Sequence, residues 1–441
     1  MTFIYVDNYR GFSNTYIPIK DVNFFVGENS TGKTSILSLI KLLDAPEFWL
    51  RQDFNTAEVQ LGTFRDIVSI NSSNDKFFRI GIIESHLSDR KLENGETKDN
   101  TLAFLMTFVM DEGLPIIYSY HHIRGNKQTK ILFLEQTIKY KISELSPELD
   151  EKGIDDIFAN WVKEKLDDNG KEYVAIKGNI PFSRKEALGH VGDLIQSISD
   201  EKELEHHTYS LILPQFAQKL FWIAPIRSKP KRTYDGYKVE SSPEGDHIPY
   251  LIGKILKQKT FAKDFSAFVE SFGKESGLFD SIKVKRFGKD TDAPFELDVT
   301  FNEMPMKISN VGYGVSQALP IVVELFLKSK GYWFAIQQPE VHLHPKAQAA
   351  FGDLIFKMAT DEGKKFFIET HSDYMIDRFR LNYRKSEPQS IIKSHVLFFE
   401  RYGNGHQVFP IEILENGNYS DDQPESFRAF FIHEELNLLG L

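Results

Sequence analysis

Eight residues, Gly27-Glu28-Asn29-Ser30-Thr31-Gly32-Lys33-Thr34, constrain this chain more than any other segment. They fit the pattern G-x-x-x-x-G-K-[ST], which needs a strand running in and a helix running out. Both flanks comply. Val22 to Val26 is a short apolar run ending at the glycine, and from Lys33 onward Ile36, Leu37, Leu39, Ile40, Leu42 and Leu43 recur at helical spacing. In such a loop the glycines let backbone N–H groups turn inward towards phosphate oxygens. Lys33 reaches the β and γ oxygens, Thr34 offers a hydroxyl to Mg²⁺, and the helix N-terminus adds the positive end of its dipole. The predicted nucleotide contacts here are Gly27, Asn29, Ser30, Thr31, Gly32, Lys33, Thr34 and Ser35.

Composition narrows the rest. The 441 residues give a prior of two to three domains, and 41% hydrophobic with 26% charged residues is globular. A formal charge of −10 argues against a generic nucleic-acid coat. With no cysteine there are no disulfides, thiolate metal sites or cysteine nucleophiles, which fits a reducing compartment. No apolar run reaches the ~18 residues of a membrane span, and MTFIYVDNYRGF lacks the apolar core of a signal peptide. A cytoplasmic protein is expected. The 37 phenylalanines point to aromatic cores or interfaces.

Along the chain, Phe3–Val6 alternates like a strand, and probable strands follow at Phe78–Ile83, Leu102–Met110, Ile116–Tyr120 and Ile131–Phe133. These look antiparallel, with 92–101 as a long exposed loop. Residues 141–220 read as an acidic helical insertion, with helical spacing at Ile154, Ile157, Trp161 and Leu166. Its charged side is either a solvated face or a dimerisation or partner arm. A strand at 221–228 breaks at Pro225, a helix spans about 248–272, and 282–308 holds paired strands. From Val311 helices alternate with strands at Trp333–Ile336, Phe366–Ile368 and His395–Glu400, the mark of a parallel α/β sheet. The expected fold is therefore α/β. Residues 1–140 and 221–441 form the halves of one nucleotide-binding head, with 141–220 inserted between them.

Two more segments carry candidate chemistry. Phe334-Ala335-Ile336-Gln337-Gln338-Pro339-Glu340-Val341-His342-Leu343-His344-Pro345 is a strand entering a polar loop, and Phe366-Phe367-Ile368-Glu369-Thr370-His371-Ser372 is a second strand ending in Thr-His-Ser. Together with the phosphate loop they resemble the ABC-type ATPases of the OLD, RecF and SMC group, in particular stand-alone AAA-15/AAA-21-like ATPases of bacterial anti-phage operons. Asn310 to Pro320 resembles that group's signature segment, Ile223-Ala224-Pro225-Ile226-Arg227-Ser228 its P-x-R segment, and 415–431 its ending. The resemblance spans about 250 residues and leaves out 141–220.

The resemblance implies an ABC-type head with ATP and Mg²⁺ as cofactors. Two heads sandwich the nucleotide, and Gly312, Gly314, Ser316 and Gln317 of one copy contact the γ-phosphate of the other. Either Ser309 or Ser316 would be the signature serine, His371 the switch histidine, and Gln60 the Q-loop residue. Thr34, Gln337 and Gln60 are the expected metal-side residues. The group's Asp-Glu pair is here Gln337-Gln338, and an amide can orient water but cannot accept its proton. Glu340, with Gln338 and His371, is the expected catalytic set, and hydrolysis should be slow.

Other clusters have a structural reading as well as a functional one. His342, His344 and His371 could be zinc ligands, but no fourth ligand is apparent and the motif explains all three. His121-His122 and His206-His207 read as surface or packing residues. Asp290 and Asp292 have the spacing of a Toprim metal pair, but they fall in a loop, and the 70 residues after His371 cannot hold that domain. The chain is therefore not expected to cut nucleic acid itself. Arg227, Lys229, Lys231 and Arg232 are either a solvated loop or a DNA contact. The resulting expectation is an oligomeric ATPase subunit of a defence system controlling a separate effector such as a nuclease. The alternatives are a RecF-like clamp that binds DNA directly and a non-hydrolysing ATP-bound scaffold.

Overall fold

The structure is a computed structural model. It describes residues 2–70, 76–84, 102–124, 127–145, 151–164, 166, 172–176, 183–199, 213–235, 240–290, 293–385 and 392–430. The expected loop at 92–101, His206-His207 and Asp292 lie outside these residues. The elements of the first half are β1 (Thr2–Asp7), β2 (Thr15–Ile19), β3 (Val22–Gly27), α1 (Lys33–Asp44), α2 (Pro46–Arg51), α3 (Phe64–Ile67), β4 (Phe77–Glu84), β5 (Leu102–Asp111), β6 (Leu114–Arg124), β7 (Lys127–Phe133), β8 (Ile138–Glu144), α4 (Glu151–Lys163), β9 (Val174–Ala175) and α5 (Val191–Ser199). Those of the second half are β10 (Leu220–Ile223), α6 (Ile248–Ile255), α7 (Lys259–Ser276), β11 (Ser281–Arg286), β12 (Phe295–Phe301), β13 (Met304–Lys307), α8 (Tyr313–Leu327), β14 (Trp333–Gln337), α9 (Pro345–Glu362), β15 (Lys365–Glu369), α10 (Asp373–Lys385), β16 (Ser394–Tyr402) and β17 (Gly405–Ile413). Among the described residues, no helix is long and apolar enough to cross a membrane.

The chain divides into two compact units. One comprises Met1–Ile19, Ser30–Gln218 and Phe399–Val408. Its frame is an eight-stranded sheet in the order β2-β1-β4-β5-β6-β7-β8-β9, with antiparallel neighbours throughout. Alternation along the strands gives each face its own core. One face carries an aromatic cluster, in which Phe78 stacks on Phe108 with centroids 5.1 Å apart and Phe48 and Phe54 meet them edge-on or tilted. The other carries Tyr5, Ile83, Leu105 and Ile123, covered by Ile154, Phe158 and Trp161 of α4. The apolar stripe of α4 is thus buried on its own sheet. Gly81 makes room for it, because a Cβ there would sit 2.6 Å from the ring of Phe158.

The other unit comprises Lys20–Asn29, Lys219–Phe398 and Phe409–Leu441. Its six-stranded sheet has the order β10-β14-β15-β3-β16-β17, and the pairs β10–β14, β14–β15 and β15–β3 are parallel. The expected α/β class with an antiparallel β segment is the observed fold. β3 is buried along its whole length, as a parallel strand covered on both faces must be. Helices α8, α9 and α10 supply Val322, Phe351 and Phe379 to a core that also holds Phe24, Ile336 and Ile368. The single helix expected at 248–272 is two, α6 and α7, because the backbone leaves the helical region at Gln258. β11, β12 and β13 form a small antiparallel sheet.

Two predictions follow from these cores. Phe158→Ala removes a fully buried ring, and should lower stability by about 3–5 kcal/mol in urea unfolding. His121 and His395 are buried, and burial pushes each imidazole down to about 3. The unfolded chain binds protons near pH 6.5 that the folded form refuses, so their contribution is present above pH 6.5 and is lost as pH falls towards 3. Unfolding midpoints measured from pH 7.5 to 5 should fall, and His395→Asn should flatten part of that slope.

Candidate active site

The phosphate-loop segment has the backbone its sequence demands. After β3 the chain takes positive φ at Gly27 (145°), Ser30 (61°) and Gly32 (94°). Alternating left- and right-handed residues curl successive N–H groups towards one side. Gly32 is required for two reasons: its φ is left-handed, and a Cβ would lie 2.4 Å from the Phe12 ring. α1 starts at Lys33 with no side-chain cap on its N-terminus and no acidic residue in its first turn. Lys33 and Thr31 are buried, Ser35 is half-buried, and Asn29, Ser30 and Thr34 are exposed. A phosphate chain and a hydrated Mg²⁺ fit this local geometry.

The carboxyl ends of β3, β14 and β15 share one edge of the parallel sheet. Gln337 and Glu369 are register partners, and the Gln337 amide donates to the Glu369 carboxylate at 2.9 Å, both side chains being buried. That bond fixes the amide, with its oxygen turned away from Glu369. Gln338 follows with a left-handed φ of 44°, held by its N–H bond to the Glu369 carbonyl at 2.8 Å. Glu340 closes the edge. One oxygen accepts from the Thr370 hydroxyl at 2.9 Å and the other from the His371 N–H at 2.7 Å. Desolvation raises its pKa, against the pull of those donors and of Arg227. Glu340 is thus a clasp between the β14 and β15 loops, and His371 is held at the exposed tip of the second loop. Ser372 caps α10 by accepting from Met375 N at 3.1 Å, and binds Gln348 of α9 at 2.7 Å. His344 caps α9.

The signature-like segment divides in two. Gly312 and Tyr313 are exposed, and the space beside Gly312 is open. Gly314 passes within 3.1 Å, measured from an added Cβ, of the His342 carbonyl, so a larger residue would crowd that contact. Ser316 and Gln317 turn inward: the Ser316 hydroxyl binds the Tyr313 carbonyl at 2.8 Å, and Gln317 exchanges bonds with the Arg227 backbone. Ser309 bonds its neighbour Asn310. Gln60, in the other unit, is exposed and donates to the Thr56 carbonyl at 2.6 Å.

Arg227 is not the surface residue its neighbours suggest. It is buried to 3% exposure, and its Nη2 donates to the carbonyls of Gln337 at 2.8 Å and Gln338 at 3.4 Å. The four-residue basic cluster therefore reduces to the exposed Lys229, Lys231 and Arg232. His121 and His122 are packing residues of the antiparallel sheet. Among the described residues, no three His, Asp or Glu side chains gather as a metal cage. Glu369, Thr370 and Arg227 were not singled out as members of this edge. Glu369 and Thr370 stood in the quoted Thr-His-Ser segment, and Arg227 in the P-x-R segment.

The AAA_15 family, AAA ATPase domain, matches residues 1–376. No curated protein matches the chain. Among solved structures, an SMC head bound to the C-terminal winged-helix domain of ScpA is 12% identical, with 93% of this chain and 97% of that chain covered and a TM-score of 0.43. An Smc head with an extended coiled coil from Pyrococcus furiosus gives 11%, 99%, 100% and 0.41, and the SMC head domain from Thermotoga maritima gives 10%, 93%, 98% and 0.38.

Thr370→Val should cost about 1–3 kcal/mol, because the hydroxyl donates to Glu340 and accepts from Ser372 N at 3.0 Å. Thermal unfolding checks this, and Thr370→Ser, which keeps both bonds, should recover most of the loss.

Proposed function

The chain belongs to the AAA ATPase domain family, and on that premise we propose that it binds ATP with Mg²⁺ at residues 27–34 and hydrolyses it slowly, ATP acting as a long-lived clamp. The observation that carries the reading is the pair Gln337-Gln338 at the end of β14, where two amides stand beside carboxylates already engaged by Gln337, Thr370 and the His371 N–H. Lys33 and Thr34 hold the phosphates and the metal, which when bound neutralises charge on the β- and γ-oxygens. Gln337 presents its amide oxygen, the only atom of that group a hard cation accepts. Gln338 orients water without taking its proton. Glu340 keeps the His371 loop in place. With no unengaged carboxylate in this set, proton removal is weak and turnover is slow.

The exposed Gly312 and Tyr313 at the start of α8 supply a surface for a second copy to close on the nucleotide. Control of a separately encoded effector such as a nuclease, in anti-phage defence, is the finer part of the proposal. It rests on the motif resemblance, and phage plating with and without the neighbouring gene tests it.

The direct experiment measures phosphate release and mass by light scattering, with and without ATP, for wild type, Lys33→Ala and Glu340→Gln. Wild type should turn over slowly and gain mass with ATP. Lys33→Ala should lose both, and Glu340→Gln should lower the rate about 10- to 100-fold, as a misplaced catalytic loop does. Absence of phosphate release and of nucleotide binding in wild type would overturn the proposal, whereas tight ATP binding without release would leave only a scaffold.

A further inference from the structure

Within the antiparallel unit, the end of α2, the β5–β6 hairpin and the short helix Arg184–His190 enclose an open-sided cleft of about 210 Å³. That is room for more than a bound water, and less than the ~300–1,000 Å³ of a drug-sized site. Its three walls are fixed to one another. Gln52 follows α2 with a left-handed φ of 55°, and its side chain is buried. Its Oε1 accepts from Ile117 N at 2.8 Å, and its Nε2 donates to the Arg184 carbonyl. Arg184 Nη2 in turn donates to the Ile117 carbonyl at 3.3 Å. Gly189 lets the short helix lie close to α2, since a Cβ there would sit 3.3 Å from the Leu50 carbonyl oxygen. The hairpin tip is held as well, by the bond from Phe64 N to the Gly113 carbonyl at 3.0 Å. A ligand therefore enters a preformed cleft and has little to order.

The lining limits what that ligand is. Arg51 and Asp53 come from the α2 end, Asp111 from the hairpin and Lys185 from the short helix, and all four are exposed. Phe54 and Ile116, both buried, add apolar surface. Among the described residues, Arg51, Asp53 and Asp111 make no ion pair, and Lys185 reaches only Glu112, which does not line the cleft, at 3.6 Å. Two cations and two carboxylates thus share one cleft without neutralising each other. A ligand of one sign is repelled by half of this set, whereas a ligand with both signs finds a partner at each end. An added β-strand is the other occupant to weigh. β7 pairs with β6 only from Ser119 onward, but Pro115 in the vacant stretch has no N–H to offer a ladder.

We propose that this cleft binds a small zwitterion, a free α-amino acid with a short side chain, its carboxylate on Arg51 and Lys185 and its ammonium on Asp53 and Asp111. A guanidinium fork suits a carboxylate, and an ammonium brings three N–H donors to two carboxylates, which a quaternary amine cannot. None of these residues belongs to the phosphate loop or to the parallel-sheet edge, so the site is independent of the ATP reading.

Titration calorimetry on the full chain, with the standard amino acids as probes, tests this. A short one such as valine or proline should bind saturably and raise the melting temperature. Its N-acetyl form lacks the ammonium and its methyl ester the carboxylate, and each should bind about 10-fold more weakly or worse. Arg51→Gln and Asp111→Asn, at exposed positions, should each weaken binding about 10-fold and leave the melting temperature of the free protein unchanged. Lys33→Ala should bind the amino acid as wild type does. Absence of saturable binding by every amino acid would overturn the inference and leave the four charges as a solvated rim. Equal affinity for either blocked form would overturn it in favour of a site for one sign of charge. Wild-type affinity in both Arg51→Gln and Asp111→Asn, or loss of binding in Lys33→Ala, would place the ligand elsewhere and overturn it too.

Discussion

The constraint behind the whole parallel sheet is that β3 is inserted between strands made far along the chain. The Asn23 amide binds the Phe366 carbonyl at 2.9 Å across 343 residues of sequence and the Lys20 carbonyl at 2.7 Å, while its oxygen meets His395 at 2.7 Å. A buried and satisfied polar set of this kind fixes register, because slipping by one residue would strand every member. With Val22 opposite Phe366, the Phe25 carbonyl accepts from Thr370 N at 3.1 Å. The loop that follows β3 therefore starts beside the Thr-His-Ser turn, and the edge chemistry depends on that register. Closing so long a loop is less costly than its length suggests, since the entropy grows only logarithmically.

Charge at this edge has been redistributed. The end of β14 carries two amides, while carboxylates sit on the neighbouring strand at Glu369 and two residues along at Glu340. Each is tied down by donors, and the buried Arg227 attracts Glu340.

The sequence patterns that proved readable were local. Strand, glycine loop and amphipathic helix at 22–44 lie within one window, and so do the alternating runs of the antiparallel sheet. The helix at 248–272 was joined across a break because Leu256 to Gln258 carries neither glycine nor proline. What stayed hidden depends on partners distant in sequence. Arg227 stands in a run with Lys229, Lys231 and Arg232, and nothing local says that it alone turns inward to carbonyls 110 residues away. Glu369 looks like the end of an apolar strand until Gln337 is placed beside it. The acidic stretch at 151–163 reads as solvated, and its outer side is. The opposite stripe packs on a sheet whose strands come from elsewhere in the chain.

The position of β3 also sets a problem of timing during synthesis. Its flanking strands, β15 and β16, are translated more than 340 residues later. At about 5–20 residues per second the segment Val22-Asn23-Phe24-Phe25-Val26 waits roughly 20 to 70 s for its neighbours. During that interval an apolar strand with high sheet propensity has no native edge to join, and pairing with another nascent chain competes with folding. One of the two central strands of the sheet is thus delivered by the ribosome long before its place exists.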